Sequence, residues 1–293
     1  MQLNPFCICC QLNKQEEKIR GFADNEKKLT YMKEIMNRYV QANKDDCAPS
    51  LSVEFADYFS NFWNVAPQDY TEIKKEFNQL MLDLEPELTQ IVEGAKDPLA
   101  TALCYARIGN YIDFAALADV DKDRLLSLIR EDNSSLDTQE YTIFQEELSA
   151  AHSLVYLTDN CGEIVLDKIA VKMLKKHYPH LQITVIVRGE PVVNDATIED
   201  AEMCGLTELV TVIGNGSRVG GTWLPDISEK ARQLLNSADV IIAKGQGNFE
   251  TLNGCGLNIY YLFLCKCDWF VRLFHAQPLE GMFVNERRVK PLR

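Results

Sequence analysis

Apolar positions follow two different rhythms along the chain. From about Glu16 to Arg130 they recur every three or four residues, as in Leu29-Tyr31-Met32-Ile35-Met36-Tyr39 and Phe77-Leu80-Met81-Leu84. That is the period of amphipathic helices. Pro49, Pro67, Pro86 and Pro98 punctuate the pattern, and Ser50 or Thr71 are candidate caps for new helices. The pattern predicts a bundle of several helices.

From Ser153 the rhythm changes to short β-branched runs alternating with amphipathic stretches. Strands are expected at 154–157, 183–187, 209–213, 240–243 and 259–263. Helices are expected from Glu163 to about Lys176, from Thr197 to Cys204 and from Ser228 to Leu235. Continuous apolar strands separated by helices imply a parallel sheet covered on both faces. A polar stretch at 131–140 is the expected linker, which gives a helical domain over 1–135 and an α/β domain over 136–293.

Composition adds little to this picture. The chain has 293 residues, 46% hydrophobic and 25% charged, as expected of a soluble globular protein. No apolar run reaches the length of a membrane span, and no secretory signal is visible, so a cytoplasmic location is expected. Charge changes the picture more. Thirty basic against forty-three acidic residues, a net charge of −13, argue against a nucleic-acid partner and make a divalent cation the natural one. Of the ten cysteines, Cys104, Cys204 and Cys255 read as small buried residues. Cys7, Cys9 and Cys10, with Cys47 as a further thiol, form a cluster that lacks the second close pair of a structural metal site, so plain packing is expected there.

In doubly covered parallel sheets ligands bind outside the carboxyl ends of the strands. The first strand runs into Thr158-Asp159-Asn160-Cys161-Gly162-Glu163, where Asp159 and Asn160 offer hard oxygen donors suited to Mg2+ or Mn2+. A helix cap is the alternative use of the same residues. The second strand ends in Arg188-Gly189-Glu190-Pro191, followed by Asn194-Asp195-Ala196-Thr197. Asn194 or Asp195 could cap the next helix, but Asp195 is also positioned to reach the cation of Asp159. The fourth strand leads into Lys244-Gly245-Gln246-Gly247-Asn248, where the lysine is suited to a phosphate and the glycines to close backbone approach. Three polar strand ends on one edge carry more weight than any one of them.

Two look-alikes are set aside. The segment 214–220, Gly-Asn-Gly-Ser-Arg-Val-Gly, hints at a dinucleotide fingerprint but follows the third strand and opens no helix. The segment from Asp119 resembles a calcium loop, but Arg124 and Arg130 occupy the glycine and glutamate positions.

The series Asp159-Asn160-x-Gly162-Glu163, Asn194-Asp195-Ala196-Thr197 and the run from Ala238 to Thr251 resembles the metal-dependent damage-control phosphatases. These were formerly a domain of unknown function, and some members carry an acidic-residue methyltransferase label. The stand-alone microbial branch is the most similar. The resemblance takes in 108–114 (Ile-Gly-Asn-Tyr-Ile-Asp-Phe), the loop 216–222 and the Cys7-x-x-Cys10 spacing. It implies a Rossmann-like three-layer α/β/α sandwich with an N-terminal helical domain, and a divalent metal (Mn2+, Mg2+, Ni2+ or Co2+) held by Asp159, Asn160 and Asp195. It further implies Lys244 on the substrate phosphate and hydrolysis of phosphate esters of small metabolites, including sugar phosphates and damaged or surplus compounds. The loop reads Ser217-Arg218-Val219-Gly220-Gly221 where the family has an acidic residue and a proline, which bears on substrate preference.

The expectation is therefore a metal-dependent phosphomonoesterase. Lys244 and backbone N–H groups near Gly162 and Gly245 would offset phosphoryl charge, with Gly247 and Asn248 lining the substrate site. The nucleophile is water or a carboxylate such as Asp159, with water preferred because a metal ligand is a poor nucleophile. Glu163 is a candidate for proton transfer or for supporting the ligands. Asn110 and Asp113 are candidates to close the crevice. The rivals are an S-adenosylmethionine-dependent carboxyl methyltransferase, which the single glycine of 159–163 suits poorly, and a non-catalytic protein that binds a phosphorylated metabolite.

Overall fold

The computed structural model describes residues 3–109 and 135–289. The chain divides into two compact units, Met1–Asp69 and Tyr70–Arg293. The first contains helices α1 (Pro5–Ile19), α2 (Asn25–Val40) and α3 (Ala48–Trp63). Each starts where its sequence supplies a cap. Asn4 accepts from the Cys7 N–H, Asp24 accepts from the Lys27 N–H, and Cys47 caps α3 just before Pro49. Ser50 therefore sits inside α3, returning a hydrogen bond to the cap. Ile19, Tyr31, Ile35, Leu51, Phe55 and Trp63 form the core of this unit.

The second unit opens with α4 (Thr71–Gly94) and α5 (Pro98–Gly109), continues with α6 (Thr138–Ala150), and then holds the sheet. Thr71 is the first helical residue of α4, and the cap position falls on Tyr70. Pro86 lies within α4 without ending it. A proline there removes one backbone hydrogen bond, but Phe77, Met81, Leu84, Leu88 and Val92 bury the face of the helix along its whole length. The expected division at 135/136 falls inside this unit. The reason is that α4 and α5 share one core with the sheet and with α7 (Glu163–His177).

The sheet alternates β1 (Ser153–Leu157), α7, β2 (Gln182–Val187), α8 (Ile198–Met203), β3 (Thr211–Gly214), α9 (Glu229–Ser237), β4 (Val240–Lys244), α10 (Gly245–Leu252), β5 (Ile259–Leu264), α11 (Asp268–Phe274) and β6 (Gly281–Asn285). Strand order is β3-β2-β1-β4-β5-β6, parallel except for the β5–β6 pair. The third strand starts later than its apolar run suggests, because Leu209 and Val210 close a turn on the Leu206 carbonyl. Both faces are covered. Leu154, Tyr156, Val185, Ile242, Tyr260 and Leu262 share a core with the helices at 71–109 and 163–177. On the other face Tyr261 and Phe263 meet Phe249 of α10 at ring-centroid distances of 4.8 and 5.5 Å. The sheet is thus the middle layer of three, and the strand reversal between β1 and β4 sits at its centre, where such sheets bind ligands. No helix among the described residues is long and apolar enough to cross a membrane.

Candidate active site

Two strand ends build the centre of the site together. After β1 the Thr158 N–H still bonds the Ile186 carbonyl, continuing the parallel ladder. The chain then pairs antiparallel with the segment after β2. The Cys161 N–H donates to Asn194 O and the Ala196 N–H to Asp159 O, each at 2.8 Å, so Asn160 and Asp195 stand opposite one another. In such a non-hydrogen-bonded pair the side chains lie closest. The next helix is capped by Thr197, whose N–H and hydroxyl both donate to Asp200. Asn194 and Asp195 are thereby not needed as caps.

The carboxylates of Asp159 and Asp195 are both buried and both face Arg188. Arg188 Nε donates to Asp195 Oδ2 at 2.5 Å, and one terminal nitrogen lies 3.6 Å from Asp159 Oδ1, close enough for attraction but too long for a hydrogen bond. The guanidinium is 1% exposed, and neither terminal nitrogen has a hydrogen-bond partner among the described residues. Burial, then Asp195 and Glu163, push the Asp159 carboxyl up to about 8, against the pull of Arg188 and Lys266. Burial also raises Asp195, opposed by the charge and hydrogen bond of Arg188, by Lys74 and by the Gly221 N–H. One buried cation therefore faces two buried carboxylates, with negative charge in surplus.

That surplus and the chemistry of the donors fit a divalent cation. Asp159, Asp195 and the Asn160 carboxamide oxygen are hard oxygen donors of the kind Mg2+ or Mn2+ takes. Among the described residues no group of three His, Cys, Asp or Glu is placed to hold a metal. A cation set here would take its third protein donor from Asn160. At the N-terminal cysteines, Cys47 serves as a helix cap and Cys7 receives a hydrogen bond from Asn4.

The fourth strand end is placed differently from expectation. Lys244 is wholly buried, and its Nζ donates to Ala106 O at 2.6 Å, Glu163 Oε1 at 2.5 Å and Asp167 Oδ1 at 2.8 Å. An ammonium has three N–H bonds, so none is left for a substrate. Burial works against the Lys244 charge, but Asp167 and Glu163 hold its pKa above the ordinary lysine value. Tyr156 completes the cluster by donating to Asp167 Oδ1 at 2.7 Å. Glu163, also wholly buried, uses one oxygen for Lys244 and the other for the Asn160 Nδ2 at 3.1 Å.

Asn248 is likewise a tie within the protein. Its Nδ2 donates to Thr158 O and Lys244 O, and its Oδ1 accepts from the Thr222 hydroxyl. It fastens the ends of β1 and β4 to the loop after β3, with both its N–H bonds committed within the protein. Gly245 abuts Asp159: a Cβ there would overlap the Asp159 carboxylate, at a φ of +77°. Gly247 stacks its backbone on Gly220 and Gly221, the latter at a φ of +106° with no room for a side chain. The 214–220 segment is thus the start of a loop locked onto α10. At the start of α7 the N–H groups are occupied internally. Gly162 donates to Asn78 Oδ1 at 2.6 Å and Glu163 to Cys161 O at 2.7 Å, so this turn does not offer the anion site expected of it. Asn110 and Asp113, and the calcium-loop look-alike, lie outside the described residues.

Arg188, Asp167, Tyr156, Asn78 and Lys266 are the functional candidates that sequence patterns did not single out. Arg188 had a signal, a cation at the end of a strand on the same polar edge.

Comparison with known proteins gives a consistent picture. The sequence model of the damage-control phosphatase ARMT1-like domain matches residues 4–280. The chain is 35% identical over 279 residues to a damage-control phosphatase of Pyrococcus horikoshii, covering 93% of this chain and 94% of that one. It is 28% identical over 276 residues to a damage-control phosphatase of Archaeoglobus fulgidus, covering 92% and 93%. Among solved structures, a DUF89 family protein from Pyrococcus horikoshii superimposes with a TM-score of 0.77 at 25% identity, over 98% of this chain and 99% of that one.

Proposed function

Because the chain belongs to the damage-control phosphatase ARMT1-like family and is thereby a phosphatase, we propose that it hydrolyses phosphate monoesters of small metabolites, sugar phosphates among them, at the crevice bounded by Asp159, Asn160, Asp195 and Arg188. The observation that carries this reading is that the Arg188 guanidinium, held at Nε by Asp195, keeps both terminal nitrogens without a hydrogen-bond partner among the described residues, beside two buried carboxylates and a carboxamide. Carboxylates and carboxamide suit a cation, and a bare guanidinium suits a phosphoryl group.

Asp159, Asn160 and Asp195 would hold the cation, which when bound supplies Lewis-acid polarisation of a phosphoryl oxygen. Mg2+, Mn2+, Co2+ and Ni2+ all accept this donor set. Arg188 takes the part expected of Lys244. Its terminal nitrogens donate to the phosphoryl oxygens as charge builds on them, in a setting from which water is excluded. Lys266, which acts electrostatically on Asp159, adds positive charge from the β5 side. Gly245 starts α10 against Asp159, so the first-turn dipole of that helix points at the same place. Water is the nucleophile, since Asp159 is committed to the cation. Glu163 does not carry the proton, because its oxygens are engaged by Lys244 and Asn160.

Phosphate release from p-nitrophenyl phosphate and a sugar-phosphate panel, with each cation and after chelation, tests the reading. Hydrolysis is expected only with a cation present. Arg188→Ala is expected to lower kcat/KM by about 10²- to 10³-fold, as for loss of one charge-stabilising donor. Full turnover by chelated protein would remove the metal set from the mechanism, and an unchanged Arg188→Ala would remove the arginine.

A further inference from the structure

The Asn160 carboxamide has two N–H bonds and one oxygen, and both N–H bonds are directed at carboxylates. Nδ2 lies 2.8 Å from Asp159 Oδ2 and 3.1 Å from Glu163 Oε2. With the cation bound both carboxylates are ionised and only accept, so the amide must turn its nitrogen to them and its oxygen away. Glu163 in turn cannot rotate freely. It is wholly buried and held by Lys244, which is itself fixed by Asp167 and by the Ala106 carbonyl, while Tyr156 fixes Asp167.

We infer that Glu163, braced by Lys244, Asp167 and Tyr156, is a positioning residue that locks Asn160 with its oxygen toward the cation and its nitrogen away. The inference rests on the proposed metal set. It gives the buried lysine a role in the reaction without contact to substrate. An asparagine needs such a lock more than an aspartate does. Two carboxylate oxygens are equivalent, whereas a flipped carboxamide presents an NH2 group, which cannot ligate a cation.

The contact and the charge of Glu163 can be separated. Glu163→Gln keeps the shape, but Lys244 selects the glutamine oxygen and leaves an NH2 facing the Asn160 NH2, so Asn160 flips. Glu163→Asp keeps the charge and loses the reach to Asn160. Binding of Mn2+ alone, followed by the EPR signal of the free ion, reads cation affinity independently of turnover. Glu163→Gln and Glu163→Asp are each expected to weaken Mn2+ binding by about 10- to 100-fold, as found for residues that orient metal ligands. If Glu163→Gln does not fold, Glu163→Asp carries the test. Wild-type affinity in Glu163→Asp shows that charge alone matters and overturns the inference while the phosphatase reading stands. A wild type that hydrolyses esters yet binds no Mn2+, Mg2+, Co2+ or Ni2+ overturns both the metal set and the lock.

Discussion

Lys244 shows how burial redirects a side chain whose sequence context suggests another use. At the end of a parallel strand and followed by glycines, it has the setting of a phosphate ligand, yet its ammonium lies among Glu163, Asp167 and a carbonyl at 0% exposure. Removing it would leave two carboxylates buried without a counter-charge, a change that costs about 3–5 kcal/mol. Lys244→Met should therefore lower the urea midpoint strongly, with no selective rise in KM in the fraction that stays folded. A normal midpoint with a raised KM would return the lysine to the substrate. Asp159 and Asn160 stand out in the sequence because they follow an apolar strand almost directly, and Asp195 because it lies in the segment after the neighbouring strand. Asp167 was less so, although it stands four residues after Glu163 on the same helix face. Tyr156 was hidden, since a tyrosine in a buried strand reads as one more hydrophobic residue and only the fold places its hydroxyl on Asp167.

At the scale of elements, the alternating half of the chain announces itself because buried parallel strands are short, β-branched and regularly spaced. Two pieces do not. The segment 245–252 reads as a glycine loop, but its fourth residue, Asn248, ties three backbone segments together and lets a helix start directly at the strand end. The last strand, Gly281–Asn285, is short and antiparallel at the edge, paired with β5 alone. The division of the chain was also not legible, because α4 and α5 carry the same helical period as the first three helices and differ only in what they pack against. The abrupt strand-to-helix junction at 244–245 yields a sharp expectation. Gly245→Ala places a methyl carbon on the Asp159 carboxylate and forces a positive φ on an alanine. The strain in φ costs about 1–2 kcal/mol, which a protein of this size tolerates. The displacement of Asp159 is expected to lower kcat by at least about 10²-fold. Circular dichroism and kcat on the same preparation separate the two effects, and an active Gly245→Ala would mean that Asp159 need not occupy its present position.

At the scale of the whole molecule, the proposed cation site would link folding to cation binding. The Asp159 carboxyl is pushed up to about 8, from an ordinary value of 3.8, mainly by burial and by Asp195. A carboxyl raised in the folded state binds its proton more tightly there than in the unfolded chain. Its contribution to stability is present below the unfolded value and is lost as the pH rises through the folded one. Chelated protein should accordingly melt at progressively lower temperature between pH 5 and pH 8, and Asp159→Asn should remove most of that slope. A cation reverses the sign by favouring the ionised pair. At a concentration one hundred times its Kd it adds about 2.7 kcal/mol, which raises Tm by about 5–11 °C for a folded unit of some 200 residues. The rise should be largest near pH 8 and shrink toward pH 5, where protons compete for the same oxygens. Melting curves with EDTA and with saturating MgCl2, at four pH values across that window, make the comparison. Parallel curves with no gain from the cation at pH 8 would show that Asp159 and Asp195 are balanced by Arg188, Lys74 and Lys266 without a cation, and that the crevice is not built around a metal.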